Sequence, residues 1–191
     1  MTANDSDQPS GSDQLDDADQ RNGSGQQRER ADLLETLAAH RGFLRHTVRD
    51  LDDEQARART TVSELCLGGL IKHVTVVEKR WADFIVRGPA AAGPLDEAAF
   101  AAHAASFHME EGETLADLLA AYEAVARVTD ELVASMPSLD AFQPLPSAPW
   151  FEPGARWSAR RVLLHVIAET AQHAGHADII REALDGSKTM G

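Results

Sequence analysis

Apolar side chains recur every three or four residues over four long stretches of the chain, which is the spacing of an amphipathic α-helix. The four stretches cover residues 29–50, 62–87, 114–136 and 158–185. A short helical turn is also predicted at residues 52–55. The chain contains no convincing run of strand-like alternation and no internal repeat. The pattern therefore predicts an all-α protein built from four long helices.

Residues with known preferences for helix ends support these boundaries. Residues 61–64, Thr-Val-Ser-Glu, have the spacing of a capping box and predict the start of the second helix. Gly88 and Pro89 should end that helix. Ser158 is a candidate N-cap for the fourth helix, and Gly186 follows its predicted last residue.

Two long connections, residues 88–113 and 137–157, join the helices. Connections in helix bundles usually have about 2–8 residues, and longer ones are commonly functional or contain short elements of their own. Both carry large apolar side chains, which would either close a pocket or only cover the ends of the helices: Phe100, Phe107, Phe142, Trp150, Phe151 and Trp157.

The ends of the chain differ in composition from its centre. Residues 1–28 are mostly Asp, Gln, Ser, Gly and Asn, and we expect them to form a disordered polar and acidic tail. Residues 29–186 should form one helical domain, since 191 residues are enough for a single domain with a real core. Residues 187–191 are predicted to be a C-terminal tail.

Charge and composition exclude several classes of function. The formal net charge is −13, which argues against a nucleic-acid partner because phosphate binding needs clustered basic residues. No apolar stretch reaches the roughly 20 residues of a membrane span, and the N-terminus does not look like a secretory signal. The single cysteine, Cys66, rules out an internal disulfide and is interpreted as a packing residue. We expect a cytoplasmic protein with no membrane partner.

Candidate metal ligands lie on two of the predicted helices. A helical wheel places Glu169 and His173 one turn apart within the apolar arc of the fourth helix, and His73 at the margin of the apolar stripe of the second. A buried carboxylate is costly without a partner, so Glu169 should have one. Two histidines and one carboxylate are ligands of catalytic zinc, which keeps a further position open. We therefore predict a divalent metal, with zinc as the expected ion, if the fold brings His73 to the other pair.

Other histidines and tryptophans are secondary candidates. His165 and His176 lie near the same stripe, but His165 is about 12 Å along the helix from His173, too far for both to bind one ion. We interpret His165 and His176 as residues that support the ligands or face the substrate, with His176 as an alternative ligand. Trp150 and Trp157 are further candidates for contact with a substrate. The competing interpretation is that these histidines are hydrogen-bonded core residues. The remaining histidines are interpreted as surface or loop residues: His40, His46, His103 and His108.

Two motifs resemble the DinB-like superfamily. The first is Gly68-Gly69-Leu70-Ile71-Lys72-His73-Val74, followed by Glu78 and Trp81. The second spans residues 165–182 and reads HVIAETAQHAGHADIIRE. The resemblance covers about residues 29–186, and the most similar branch is the actinobacterial one of unknown function, often labelled mini-circle proteins.

The resemblance implies a DinB-like four-helix bundle that holds a metal through one residue of the second helix and two of the fourth. Here these are His73, Glu169 and His173. Many DinB-like proteins have His at the position of Glu169. The His-Glu-His version is similar to mycothiol-dependent maleylpyruvate isomerase, and related members are thiol S-transferases that use mycothiol or bacillithiol.

The implied activity is a metal-dependent S-transferase that joins a small-molecule thiol, such as mycothiol, to a small electrophile. Two alternatives stay open. One is a metal-dependent hydrolase that activates water. The other is a non-enzymatic module that binds a metal or small molecule, since fold alone does not determine function. A monomer or a homodimer is expected.

Overall fold

The computed structural model describes residues 11–189, with side chains from residue 23 onward. Its four long helices are α1 (Gly11–His46), α3 (Leu67–Arg87), α5 (Leu115–Ser135) and α6 (Ala159–Asp185). The shorter elements are α2 (Asp53–Arg57), a 3-10 turn (Gly88–Ala91), α4 (Glu97–Ala105), β1 (Phe142–Pro144) and β2 (Arg156–Ser158). The predicted all-α bundle is confirmed. None of the helices described here is long and apolar enough to cross a membrane.

Most of the predicted helix ends are confirmed. The Ser158 hydroxyl accepts a hydrogen bond from the backbone N–H of Arg161 and caps α6. Gly186 ends this helix in the left-handed conformation, with a φ of 80°. Gly88 caps the C-terminus of α3. The predicted turn at 52–55 is α2, where Asp52 and Gln55 form a capping box.

The predicted start of the second helix is wrong by five residues, because α3 begins at Leu67 instead of residue 62. The hydroxyl of Thr61 accepts a hydrogen bond from the N–H of Ser63, and the hydroxyl of Ser63 accepts one from Leu65. Such local bonds compete with helix formation. The residues that resemble a capping box therefore form turns ahead of the helix.

Helix α1 starts earlier than predicted, at Gly11 instead of near residue 29, and ends at His46 instead of residue 50. Residues 11–28 thus form helix where we expected a disordered tail, and residues 1–10 lie outside the described part of the chain. Glu29 pairs with Arg160, and Arg30 donates a hydrogen bond to the carbonyl of Met136 at 2.8 Å. These two contacts tie the helix to the bundle.

Deleting residues 1–28 should leave the melting temperature within about 2 °C of the full-length value, because this stretch offers little apolar area to bury. A shorter chain that starts at residue 31 is the matched control. It also lacks Glu29 and Arg30, and it should melt at a lower temperature. Calorimetry of both truncations checks the expectation. If both truncations lower the melting temperature by the same amount, the first 28 residues dock on the bundle.

The second connection contains a small antiparallel sheet, which corrects the expectation of no strands. β1 pairs with β2 in the register Phe142↔Ser158, Gln143↔Trp157 and Pro144↔Arg156. Strands of three residues are too short to produce a recognisable alternation. The Gln143 side chain donates a hydrogen bond to the carbonyl of Ile85 at 3.2 Å. The sheet is thereby held against the C-terminal end of α3.

The core consists of two apolar clusters separated by a layer of polar side chains, in which Arg41 and Glu78 are buried. α3 packs on both α5 and α6, and α1 packs mainly on α6. One cluster includes Leu44, Leu70, Ile71, Val74, Tyr122 and Ile180, and the other includes Leu37, Phe84, Ile85, Val133, Val162 and Val166. Between them, Arg41 of α1 binds Glu78 of α3 through two hydrogen bonds, of 3.1 and 2.5 Å. Arg41 also binds Asp130 of α5 at 2.9 Å. We call these three residues the polar layer.

Two glycines of α3 allow the first long connection to approach the helix closely. A Cβ atom on Gly69 would lie 1.9 Å from the carbonyl oxygen of Phe107, and one on Gly68 would lie 2.5 Å from the sulfur of Met109. Neither position has space for a larger residue. The absence of a side chain at Gly68 and Gly69 therefore allows residues 106–109 to lie against α3, next to His73.

Gly69→Ala should lower the free energy of unfolding by about 1–3 kcal/mol, because the added methyl group collides with backbone that has to move. Gly42→Ala is the matched control. Nothing lies within 4 Å of a Cβ at Gly42 in α1, so this change should be neutral or stabilise the helix. Denaturant unfolding of both variants checks the prediction. Equal stabilities would contradict the close approach.

Candidate metal centre

His73, Glu169 and His173 converge at one side of the bundle. Each offers one ligand atom, and these three atoms lie within 4.8 Å of one another. Glu169 and His173 are one turn apart on α6, and His73 faces them from α3. Glu169 Oε2 and His173 Nε2 are 3.6 Å apart. Ligands about 2.1 Å from a tetrahedral ion are separated by about 3.4 Å, so this pair fits a metal without rearrangement. Small side-chain rotations would bring in the third ligand.

Glu169 is more exposed than its position in the apolar arc predicted. Its side chain retains 28% of its accessible area, whereas His73 and His173 retain only 2% and 8% as residues. The carboxylate borders a cavity and is not enclosed in the core. Burial therefore does not require a partner for Glu169. The case for a metal rests on the convergence of three suitable donors.

Ser106, in the first connection, orients His73. The Ser106 hydroxyl donates a hydrogen bond to the carbonyl of His103 at 2.6 Å, so its oxygen accepts the bond from His73 Nδ1 at 2.8 Å. Nδ1 then carries the ring proton, and the lone pair is on Nε2. Phe107 stacks on the imidazole with a centroid distance of 3.7 Å and fixes its plane. This is how a metal-binding histidine is usually held.

Ser106→Ala should weaken metal binding about 10–100-fold, the usual effect of losing a hydrogen bond to a metal-binding histidine. Ser106→Thr keeps a hydroxyl and should recover most of the loss. Competition with a chelator of known affinity measures both. Ser106 is buried, so thermal unfolding of each apo variant is needed to separate a binding effect from a folding effect. An unchanged affinity in Ser106→Ala would show that the serine does not orient a ligand.

His73, His165 and His173 are neutral at physiological pH, because the pKa of each is lowered. Burial, assisted by the neighbouring His173 and His103, lowers the pKa of His73 to about 3. Burial also lowers the pKa of His173 and of His165, although Glu169 acts in the opposite direction on both. A histidine must be unprotonated to bind a metal. Both candidate imidazole ligands therefore have a free lone pair at neutral pH.

A cavity of about 200 Å³ opens beside His73 and Glu169. Its walls come from α3, α6 and the two long connections, and they are mostly aromatic or aliphatic. The lining residues are His73, Val77, Arg80, Trp81, Phe84, Ala92, Leu95, His103, Pro146, Ala148, Trp150, Phe151, His165 and Glu169. The long connections thus close a pocket, one of the two roles considered for their apolar residues. Of the six large apolar residues considered in these connections, Trp150 and Phe151 line the cavity, whereas Phe100, Phe107, Phe142 and Trp157 do not.

The secondary candidates occupy different positions around this cavity. His165 lines it, and His165 Nε2 lies 3.7 Å from Glu169 Oε1. Trp150 lines its mouth and is 59% exposed. Trp157 stacks behind the wall on Trp81, with ring centroids 4.9 Å apart. His176 does not line the cavity. Its Nδ1 lies 3.5 Å from Nδ1 of His173, on the side of that ring away from Glu169.

Three residues near His73 were missed by the sequence analysis. Ser106 was given no role, Phe107 was considered only as a residue that would close a pocket or cover the helix ends, and His103 was interpreted as a surface or loop residue. His103 is exposed, but its ring centroid lies 5.3 Å from that of His73 and it lines the cavity. The Gly68-Gly69 pair is the sequence signal that could have revealed a close approach to α3 at this level. It did not indicate which segment approaches.

Cys66 is buried, at 2% exposure, as its interpretation as a packing residue predicted. Its sulfur lies 4.0 Å from the carbonyl of Phe107, and it is not among the residues that line the cavity. A thiol that reacts in this cavity must therefore come from outside the chain.

A sequence model of a protein family, described as Mycothiol-S-transferase, matches residues 32–186. The match covers all of α3, α5 and α6 and the C-terminal part of α1 from residue 32, and it includes His73, Glu169 and His173. No curated protein shows significant sequence similarity to the chain.

Proposed function

Because the chain belongs to the mycothiol S-transferase family, we propose that it joins mycothiol, or a closely related thiol, to small electrophiles with the help of a divalent metal. The same match confirms the predicted membership of the DinB-like superfamily. The observation that supports a metal-dependent reaction is the convergence of His73, Glu169 and His173 beside a cavity. Zinc is the metal that we expect, since it favours this donor set.

The residues of the chain would have distinct tasks in this reaction. His73 and His173 offer neutral imidazole nitrogens, and Glu169 adds the negative charge that a divalent ion prefers in a partly buried site. A bound metal would favour thiolate over thiol at neutral pH. Ser106 keeps Nε2 of His73 directed to the site. The aromatic walls exclude water, which protects the thiolate and the electrophile from side reactions.

With an alkyl halide or an epoxide, the transfer is one substitution step. The thiol loses its proton to solvent, and its sulfur then forms a bond to the electrophilic carbon. The bond from that carbon to the leaving group breaks, and the leaving group departs with the electron pair. With an epoxide, the opened oxygen takes up a proton. With an activated alkene the sulfur adds to one carbon of the double bond, the π bond breaks, no group leaves, and the neighbouring carbon takes up a proton. Cys66 has no part in this step, because its thiol is buried away from the cavity.

The proposed function is tested with protein purified without chelator. Elemental analysis should find about one divalent metal per chain. The protein should then accelerate consumption of mycothiol by a panel of alkyl halides, epoxides and activated alkenes, and Cys66→Ala should retain this activity. Metal-free protein that also fails to bind added zinc, nickel or iron would overturn the proposal. Turnover that consumes water and not thiol would favour a hydrolase instead.

A cytoplasmic location belongs to the same proposal. A reaction that consumes a free thiol needs a reducing compartment, and a chain with one buried cysteine has no disulfide to maintain. Secretion of the protein in its native cell would contradict this part of the proposal.

A further inference from the structure

The cavity beside the candidate ligands is lined mostly by apolar side chains, and Trp81, Phe84, Trp150 and Phe151 supply its aromatic walls. Among the lining residues, Arg80 is the one permanent cation, and its side chain is turned towards the carbonyl of Ala92, at 3.5 Å, on the exposed rim. Apart from the candidate ligands, the lining residues therefore offer no buried charge to hold an anionic part of a substrate.

The size of the cavity limits what fits. Its volume is about 200 Å³. An apolar protein cavity of about 150 Å³ is large enough for benzene. The space beside the ligands therefore suits one six-membered ring with a short substituent. Aromatic rings in the walls favour a planar partner, since ring pairs gain energy beyond their burial.

We propose that the electrophile of this transferase carries a single planar apolar ring next to its reactive carbon, as in a benzyl halide or a phenyl-substituted epoxide. This inference rests on the proposed thiol transfer. The ring lies against the aromatic wall formed by Trp81, Phe84, Trp150 and Phe151, and the reactive carbon is directed to Glu169 and His73. For benzyl bromide, the sulfur bonds to the benzylic carbon, bromide leaves with the electron pair of the C–Br bond, and the thiol proton goes to solvent.

Intrinsic fluorescence reports directly on this cavity. The chain contains three tryptophans, and two of them, Trp81 and Trp150, line the cavity, while the third, Trp157, stacks on Trp81. Benzyl alcohol is an unreactive probe of the same shape as the proposed electrophile. Titration with benzyl alcohol should change the fluorescence and saturate, whereas propanol at equal concentration should have no effect.

Trp150→Ala should weaken benzyl alcohol binding about tenfold, because one aromatic wall is lost. Trp150 is 59% exposed, so the fold should tolerate the change. Phe142→Ala is the matched control, since Phe142 is 52% exposed, belongs to the same connection and does not line the cavity. It should bind benzyl alcohol like the wild type. Trp81 and Trp157 remain as reporters in both variants.

Kinetics with mycothiol complete the test. The rate enhancement over the uncatalysed reaction should be at least about tenfold larger for benzyl bromide than for ethyl bromide, which reflects burial of one phenyl ring. Trp150→Ala should remove most of this preference. Equal enhancements for the two bromides, with no saturable binding of benzyl alcohol, would overturn the inference and leave the proposed transfer intact. If the protein binds benzyl alcohol saturably but shows no thiol transfer, the cavity binds a ring as inferred. That outcome would count against the proposed function and not against the ring-binding cavity.

Discussion

His173→Ala should yield a protein that contains almost no metal after purification and binds added zinc at least about 100-fold more weakly than the wild type. Loss of a residue that only hydrogen-bonds to a metal ligand already lowers the metal affinity about 10–100-fold, and His173→Ala removes a ligand itself. His73 and Glu169 would remain, but two ligands hold zinc poorly. Elemental analysis and competition with a chelator measure the effect. Thiol transfer should disappear together with the metal.

His176→Ala is the matched control for this experiment. His176 is three residues further along α6 and lies near His173, but it is not part of the converging group. Its replacement should change the affinity for zinc by less than about tenfold, the lower limit for losing an indirect contact. A larger loss in His176→Ala than in His173→Ala would show that His176 is the ligand and that the assignment of His173 is wrong.

Arg41→Ala should destabilise the protein by about 3–5 kcal/mol, which corresponds to a fall in melting temperature of about 10 °C for a domain of this size. The reason is that Glu78 has no exposed area and would lose the partner that compensates the burial of its carboxyl group. Burial acts to lower the pKa of Arg41, but the bonds and charges of Glu78 and Asp130 raise it above its usual value. The wild-type arginine is therefore charged and paired.

Two further variants separate the buried contact from the partly exposed one in the polar layer. Asp130→Ala should cost less than about 1 kcal/mol, because the Asp130 side chain is 46% exposed and its pair with Arg41 is screened by water. The double change Arg41→Met with Glu78→Met removes both buried charges and should recover much of the stability lost in Arg41→Ala. Chemical denaturation of the three variants gives the values. A loss in Arg41→Ala no larger than in Asp130→Ala would contradict the importance of the buried pair.

The sequence predicted the bundle well because its signals are local or periodic. Apolar positions of α3, α5 and α6 recur over six or more turns, and such a long pattern is hard to produce by chance. The caps Ser158 and Gly186 act within a few residues and were confirmed. The alignment of Glu169 with His173 followed from helix geometry alone.

What could not be predicted depends on contacts between distant segments. Ser106 and His73 are 33 residues apart, and nothing in the composition of residues 88–113 links this serine to that histidine. Arg41 and its partner Glu78 are 37 residues apart and lie on different helices. The exposure of Glu169 depends on where the two connections leave a cavity. Periodicity describes one helix at a time and contains no information about these pairings.

The polar layer also has a consequence for the alignment of the helices along the bundle axis. Two helices that meet only through apolar side chains can shift along each other at little cost, because one leucine takes the position of another in the interface. The ion pair of Glu78 and Arg41 does not allow such a shift. A displacement of α3 by one turn, about 5.4 Å, would separate Glu78 from Arg41 and leave both charges in apolar surroundings. His73 is only five residues before Glu78 on the same helix. The ion pair in the core therefore sets the height at which His73 meets Glu169 and His173, and a residue that never contacts a substrate determines where the ligands meet.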